Sequence, residues 1–187
     1  MKIKLYIDFD GVILDSIDVS YKLIEDNGIE LIDENYEKIQ KFFIEVDWEE
    51  IINQSKPINN SIENIKEILS SGLYDTTILT HVNSKKEIKI KQKYLDKVLP
   101  GINVIYVNKK DNKCDIVDCK NTILVDDYTR NLELWENKGG IPIKFSTTDK
   151  IYPYISKNNL KFLLDNYQEI KEIVEENTKK ILKKDVV

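Results

Sequence analysis

Two aspartates near the amino end of the chain have the type and spacing for chemistry on a charged ligand. Asp8 and Asp10 follow an apolar run that begins at Ile3, and Gly11 comes directly after them. Carboxylates two residues apart on a strand point the same way, and like charges that close repel unless a cation neutralises them. Mg²⁺ is the usual cation where phosphate is also bound. The alternative is a strand end with solvated acids and a glycine turn.

A second pair of acids ends another apolar run. Asp126 and Asp127 follow residues 122–125, which have the composition of a buried strand. Acid pairs are common at turns, but a buried strand would deliver these two to the rim of a sheet. If that strand lies beside the first one, all four carboxylates meet in one crevice, where they would be costly without a metal ion.

Five further residues could contact phosphate. Thr80 ends a predicted strand, and its hydroxyl could bind phosphate oxygens or simply cap a turn. His81 is the only histidine, and it is either a ligand contact or a surface loop residue. Lys109, Lys110 and Lys113 follow the third predicted strand. A lysine there would offset the anionic charge, and Lys113 is preferred because it opens a helix that faces the crevice.

These residues need a scaffold of strands that alternate with helices. Short apolar runs predict five strands, near residues 3–8, 76–80, 103–107, 122–125 and 141–145. Helices are predicted between them, with Ser16 and Ser84 as caps of two of these, and a helical stretch runs from about residue 157 to the end. Such alternation is typical of an α/β fold with a doubly wound parallel sheet.

The first crossover is too long for a single helix. Residues 18–60 contain helical patterns and no strand, which predicts a small helical cap inserted into a core of residues 1–17 and 61–187. Aromatic residues lie in or beside this insert and could include one that stacks on a base, although most would form its core. They are Phe9, Tyr36, Phe42, Phe43 and Trp48.

Composition limits the classes of function. The chain has 187 residues, 41% of them hydrophobic, so it can bury a core. Its formal net charge of −5 argues against binding to long nucleic acid or to an anionic membrane, since phosphate backbones need a basic face. The start of the chain lacks the pattern of a signal peptide, and Cys114 and Cys119 are interpreted as reduced thiols, so a cytoplasmic protein is expected.

The order of these segments resembles that of the haloacid dehalogenase (HAD) superfamily of phosphohydrolases. The likeness covers residues 8–127 and lies in Asp8-Phe9-Asp10-Gly11-Val12, Thr80, Lys113 and Asp126-Asp127. The insert stands where that family commonly carries a cap. Residues 123–140 look like those of 5′(3′)-deoxyribonucleotidase-like proteins, although Thr80-His81-Val82 departs from the Thr-Ser that such relatives often carry.

The resemblance implies a role for each matched residue. Asp8 would be the nucleophile that becomes an aspartyl phosphate, and Asp10 would protonate the leaving oxygen and then activate water. Mg²⁺ would be held by Asp8, the Asp10 backbone carbonyl and Asp126, with Asp127 supporting its surroundings.

Thr80 and Lys113 would hold the transferred phosphoryl group, with His81 as a further phosphate contact. Dehalogenases do not need a second acid at the position of Asp10, so its presence favours phosphate chemistry.

The expected function is therefore a Mg²⁺-dependent phosphomonoesterase for a small substrate, with nucleoside monophosphates as the first choice. A sugar phosphate or a nucleic-acid 3′ end remains an alternative substrate, and a catalytically silent binding protein on the same fold remains an alternative function.

A signalling receiver domain uses similar residues, but there the phosphate acceptor lies on the third strand and the Thr and Lys come later. The oligomeric state stays open, with a homodimer as one option.

Overall fold

Six parallel strands form one sheet within residues 2–184, the part of the chain that the computed structural model describes. The strand order is β3-β2-β1-β4-β5-β6, so the chain winds outward from β1 in both directions. The strands are β1 (Ile3–Ile7), β2 (Tyr74–Val82), β3 (Asn103–Asn108), β4 (Ile123–Asp126), β5 (Ile141–Phe145) and β6 (Ile155–Lys157). This is the α/β doubly wound parallel sheet that the sequence predicts.

Nine helices connect and cover the strands in the same part of the chain. They are α1 (Ser16–Asp26), α2 (Tyr36–Glu45), α3 (Trp48–Gln54), α4 (Ser61–Ser71), α5 (Lys85–Val98), α6 (Lys113–Ile116), α7 (Thr129–Asn137), α8 (Phe162–Asp165) and α9 (Tyr167–Lys184). None of them has both the length and the apolar character needed to cross a membrane. The predicted continuation of the last helix to residue 187 lies outside the described residues, as does residue 1.

The sheet is buried on both faces, as a parallel sheet with helices on each side must be. Leu5 and Ile7 belong to a large core on one face, whereas Tyr6 points to a smaller core on the other face, which also holds Trp135. The central strand β4 is buried along its whole length. Continuous apolar runs therefore mark the central strands well.

The structure corrects two predictions about local elements. The sixth strand, β6, lies at the sheet edge and was missed because its three residues are at most half-buried and carry no apolar run. Ser16 is not a helix cap, because Asp15 occupies that position and Ser16 begins α1 with its side chain buried. The cap prediction at Ser84 is confirmed, since its hydroxyl oxygen accepts a hydrogen bond from the Glu87 backbone N–H at 3.1 Å.

The segment between β1 and α4 is helical and contains no strand. Helix α2 buries none of its residues, whereas α3 buries Trp48, Ile51 and Ile52 against α1 and α5. A salt bridge of 2.8 Å between Lys93 and Glu49 also joins α5 to α3. The division into a core and a cap at residues 18–60 stays a prediction.

Candidate active site

The neighbouring strands β1 and β4 bring the two pairs of acids to one edge of the sheet. Ile7 pairs with Val125, and the backbone N–H of Asp8 donates to the Val125 carbonyl at 2.9 Å. On the other side of β1, Ile7 pairs with Ile78, two residues before Thr80 on β2. Because parallel strands end at the same edge, Asp8, Asp126 and Thr80 border one crevice.

Three carboxylates gather at this edge. Asp8, Asp126 and Asp127 each offer an oxygen atom, and these atoms lie within 4.8 Å of one another. Burial, opposed by Lys113 and reinforced by the Asp126 charge, raises the pKa of Asp8 to about 6. Burial and the charges of Asp126 and Asp8 raise the pKa of Asp127 to about 8. Carboxylate oxygens are hard ligands, and three of them close together favour a bound cation that offsets their charge. This set of donors therefore fits a divalent cation such as Mg²⁺.

A buried lysine ties two of these carboxylates together. The Nζ atom of Lys113 lies 2.8 Å from Asp8 Oδ1 and 2.7 Å from Asp126 Oδ2. Burial disfavours its charge, but the Asp126 and Asp8 carboxylates outweigh that effect and hold the pKa of Lys113 above its ordinary value. Lys109 and Lys110 are exposed in the preceding loop. Of the three lysines left open by the sequence, only Lys113 contacts the acids in the described part of the chain.

Local hydrogen bonds fix the orientation of Asp126. Its Oδ1 accepts from the Tyr128 backbone N–H at 2.8 Å, and its Oδ2 accepts from the Asn131 side-chain amide at 2.9 Å. Tyr128 directly precedes α7 and Asn131 lies in its first turn, so both donors follow closely after the strand that carries Asp126. The carboxylate is therefore held in one orientation before any ligand arrives.

The side chain of Asp10 does not join the other three acids, which corrects the prediction that all four carboxylates converge. Its Oδ2 lies 2.5 Å from Lys91 Nζ and 3.5 Å from Thr80 Oγ1, and its Oδ1 accepts from Ser16 Oγ at 2.7 Å. The strand ladder of β1 ends at Ile7 and the chain turns before Asp10, so the alternation of a regular strand no longer applies.

Sequence reasoning missed Lys91 and its partner Glu87. The two lie four residues apart on α5, and Glu87 Oε1 is 2.7 Å from Lys91 Nζ. Both are almost fully buried together with Leu95, which is another four residues along the same face. Because residues spaced by four share a helix face, the apolar Leu95 and Leu99 could have marked Lys91 as buried.

His81 holds a loop beside the crevice. Its Nε2 lies 3.0 Å from the Asp111 carbonyl oxygen, and we place the proton on Nε2 because a carbonyl only accepts. Burial and the charge of Lys113 lower the pKa of His81 to about 4, so the ring is neutral at pH 7. The loop it holds leads directly to Lys113. A phosphate contact by His81 itself stays a prediction.

Gly11 is required where it stands because Asp127 lies directly against it. Its φ is +74°, and a Cβ atom would come within 2.4 Å of Asp127 Oδ2. We expect Gly11→Ala to lower thermal stability and to weaken stabilisation by Mg²⁺, because the displaced carboxylate belongs to the acidic cluster. Thermal unfolding with and without Mg²⁺ measures both effects.

Gly28→Ala is a matched control for this change. Gly28 also has a φ of +74°, but apart from its chain neighbours no residue has an atom within 4 Å of its would-be Cβ. The backbone cost of about 1–2 kcal/mol is then common to both variants, and only Gly11→Ala displaces Asp127. Equal losses in the two variants, with an unchanged response to Mg²⁺, would contradict the expected contact.

A cavity with a mixed polar and apolar lining opens beside Gly11 and Asp127. It has a volume of about 210 Å³. Its wall carries hydroxyl groups and one lysine, from Ser146, Thr147, Thr148, Tyr152 and Lys144. The Lys144 ammonium donates to the backbone carbonyl of Asp127. This space could receive a small polar group next to the carboxylates.

Several solved structures resemble this one over almost their whole length. A hydrolase from Pseudomonas syringae has a TM-score of 0.61 at 12% identity, covering 90% of this chain and 99% of that one. A haloacid dehalogenase-like family hydrolase from Xanthomonas campestris has a TM-score of 0.59 at 11% identity, covering 94% and 98%. A HAD hydrolase, family IA, variant 3, from Entamoeba histolytica has a TM-score of 0.55 at 13% identity, covering 94% and 100%.

Comparisons of sequence alone find less. No protein-family model matches the chain, and no curated protein matches it. With identities this low, the likeness to solved structures concerns the fold and not the activity. The sheet order, the acids at the ends of β1 and β4 and these neighbours lead to one conclusion: the chain has the fold of the haloacid dehalogenase-like hydrolases.

Proposed function

We propose that the protein is a Mg²⁺-dependent phosphomonoester hydrolase that forms an aspartyl phosphate on Asp8. The observation that carries the proposal is the contact of Lys113 Nζ with Asp8 at 2.8 Å, inside a cluster with Asp126 and Asp127. A carboxylate that faces a buried ammonium can attack an anionic phosphorus, because the ammonium offsets the repulsion between the two anions.

In the first step, an Asp8 carboxylate oxygen attacks phosphorus and the ester P–O bond breaks. Among the described residues, the hydrogen bonds to this carboxylate come from Phe9 N–H and Lys113, and both reach Oδ1. Oδ2 is therefore the attacking oxygen. Asp10 gives a proton to the departing oxygen, which leaves as an alcohol.

In the second step, water attacks the phosphorus of the aspartyl phosphate. Asp10 takes a proton from that water, the bond between phosphorus and Asp8 breaks, and inorganic phosphate leaves. Lys113 and the Thr80 hydroxyl hold the phosphoryl oxygens during both steps. The buried positions of Lys113 and Thr80 support this role, since fixed groups need little reorganisation as the charge moves.

The residues that would hold Mg²⁺ are Asp8, Asp126 and the backbone carbonyl of Asp10, with Asp127 beside them. Bound there, Mg²⁺ supplies positive charge that compensates the carboxylates and the phosphoryl oxygens. The raised pKa values of Asp8 and Asp127 support this assignment, because burial and the neighbouring carboxylates, which raise them, both disfavour an ionised cluster that has no cation.

Within this class we propose a nucleoside monophosphate as the substrate, from the resemblance of residues 123–140 to deoxyribonucleotidase-like proteins. The cavity of about 210 Å³ beside Asp127 supports a small alcohol group in the substrate, and its hydroxyl-bearing side chains could contact polar atoms of that group. Phe9 and Trp48 are buried, so they are not available to stack on a base. The remaining aromatic candidates are the three residues of α2, Tyr36, Phe42 and Phe43. A cytoplasmic location and the option of a homodimer stay predictions from the sequence.

Phosphate release tests the proposal directly. The panel contains 5′- and 3′-deoxynucleoside monophosphates and sugar phosphates, each assayed with Mg²⁺ and with EDTA, and a 2-haloacid assayed for halide. We expect phosphate release with Mg²⁺, background rates with EDTA, and recovery when Mg²⁺ is restored in excess. The haloacid should release no halide, since Asp10 favours phosphate chemistry.

Two results would overturn the proposal. One is the absence of phosphate release from every ester by folded protein that still gains thermal stability from Mg²⁺, which would favour a silent binding protein. The other is the release of halide from the 2-haloacid by the wild-type protein, which would make the protein a dehalogenase. Turnover of sugar phosphates alone would keep the hydrolase and replace the nucleotide as substrate.

A further inference from the structure

A buried ion cluster lies directly behind Asp10. The Lys91 ammonium is 2.5 Å from Asp10 Oδ2, 2.7 Å from Glu87 Oε1 and 3.1 Å from the carbonyl oxygen of His81. The Lys91 side chain is fully buried, and that of Asp10 is 16% exposed at the crevice. The cluster therefore connects the inside of the core to a residue that meets the substrate.

Two aromatic rings pack against the Lys91 ammonium and restrict its position. Its ammonium lies 5.2 Å from the centre of the Phe9 ring and 4.9 Å from that of the Trp48 ring. Phe9 lies in the turn after β1, and Trp48 begins α3, so residues from three parts of the chain, α5, that turn and α3, enclose the same ammonium. Because the position of the ammonium is fixed, it also fixes the orientation of the Asp10 carboxylate to which it donates.

The chemistry of the contact distinguishes the two oxygens of Asp10. An ammonium can only donate, so Oδ2 must be an acceptor whenever Lys91 binds it. A proton on Asp10 is therefore carried by Oδ1. Ser16 Oγ lies 2.7 Å from Oδ1, and a hydroxyl can donate to an ionised oxygen or accept from a protonated one.

We propose that Lys91 is a positioning residue that holds Asp10 by Oδ2, so that Oδ1 carries the proton passed to the leaving group. This rests on the proposed hydrolase function, in which Asp10 protonates the departing oxygen. Ser16 stabilises Oδ1 in both protonation states, and Lys91 acts only through Asp10.

Glu87 completes the arrangement by balancing charge. Glu87 shares the same Nζ atom and contributes a second negative charge, so the lysine orients Asp10 without leaving net positive charge beside it. Removal of Lys91 alone would leave the buried Glu87 and the partly buried Asp10 without their cation, which is a cost to folding.

The dependence on the leaving group tests this role. We compare kcat/KM of wild type and Lys91→Met for the best alkyl ester in the panel and for p-nitrophenyl phosphate, whose leaving group departs without a proton. Because kcat/KM covers only the steps up to alcohol release, later hydrolysis of the aspartyl phosphate does not enter. We expect the alkyl value to fall by about 100-fold and the aryl value by less than about 5-fold.

Two further variants separate positioning from folding. The double variant Glu87→Gln/Lys91→Met removes the negative charge of Glu87 together with its cation, so it leaves no unpaired carboxylate at position 87. We expect the ratio of kcat/KM between the alkyl and aryl esters to change as it does in Lys91→Met. Lys89→Met alters an exposed lysine on the same helix and should change neither value.

Equal losses on both esters, or no loss on either, would refute the role of Lys91 while leaving the hydrolase intact. A wild-type protein that turns over neither ester would instead refute the proposed function, and this inference with it.

Discussion

The Asp8→Asn protein is expected to release no phosphate above background from any ester that wild type hydrolyses. Asparagine keeps the shape of the side chain but lacks the carboxylate that attacks phosphorus, so no aspartyl phosphate can form. Loss of a nucleophile that acts as a unit with its neighbours costs about 10⁴-fold or more in kcat. Substrate binding is expected to survive, because Lys113 and Thr80 are unchanged.

The same variant should fold as well as wild type. The side-chain amide oxygen of the introduced asparagine would still accept from the Phe9 backbone N–H, and the charge removed is one that burial disfavours, as the raised pKa of Asp8, about 6, indicates. Relief of repulsion with Asp126 and Asp127 offsets the lost ion pair with Lys113. We expect the melting temperature in EDTA to change by no more than about 4 °C, which corresponds to about 1 kcal/mol in a chain of this size.

Phosphate release and thermal unfolding, measured on the same preparation, check both statements. Asp75→Asn is the matched control, since Asp75 is an exposed aspartate at the opposite end of the sheet, where β2 begins. It should keep full activity. Substantial turnover by Asp8→Asn would show that another group attacks phosphorus, and an unfolded Asp8→Asn protein would contradict the proposed balance of charges.

The sheet and the acid cluster could be predicted because their signals are local. The strand of Asp126 is a continuous apolar run, and such runs are typical of strands buried on both faces. Parallel strands end at one edge, so two runs that both end in acids indicate one site. Asp8 and Asp126 meet for this reason, and β1 does pair with β4.

The surroundings of Asp10 could not be predicted in the same way. Its direction depends on where β1 stops, which is set by tertiary hydrogen bonds rather than by the alternation of residues. Its main partner, Lys91, is 81 residues away in the chain. Composition does not distinguish Lys91 from the other basic residues of the chain, which has 28 in total. The sequence feature that indicates its burial is the spacing of four residues from Leu95 on the same helix face.

Lys113→Met is expected to remove most of the activity and to destabilise the fold in a pH-dependent way. The ammonium contacts both Asp8 and Asp126, and its charge works against the rise in the pKa of Asp8. In the absence of Mg²⁺, loss of this ammonium moves the pKa of Asp8 above about 6, so a larger fraction of its carboxyl is protonated at neutral pH. With Mg²⁺ present, the phosphoryl group loses its buried ammonium, so we expect kcat/KM at pH 7 to fall by about 100-fold or more.

The effect on stability has a definite sign. Asp8 is an acid whose pKa is higher in the folded than in the unfolded protein, so stability is lost as pH rises from about 4 through the folded pKa. Removing Lys113 raises that folded pKa and extends the loss to higher pH. The stability gap between Lys113→Met and wild type, measured in EDTA, should therefore be small at pH 5 and wide at pH 8, approaching the ~3–5 kcal/mol of a broken buried ion pair.

Lys110→Met provides the control, because it makes the same change at an exposed position of the preceding loop. That variant should match wild type in activity and in stability at both pH values. A large loss in Lys110→Met with a nearly active Lys113→Met would move the phosphate contact out to the loop. A stability gap that is equal at pH 5 and pH 8 would mean that Lys113 acts through packing alone, whereas a gap that widens with pH ties its role to the carboxylates of Asp8 and Asp126.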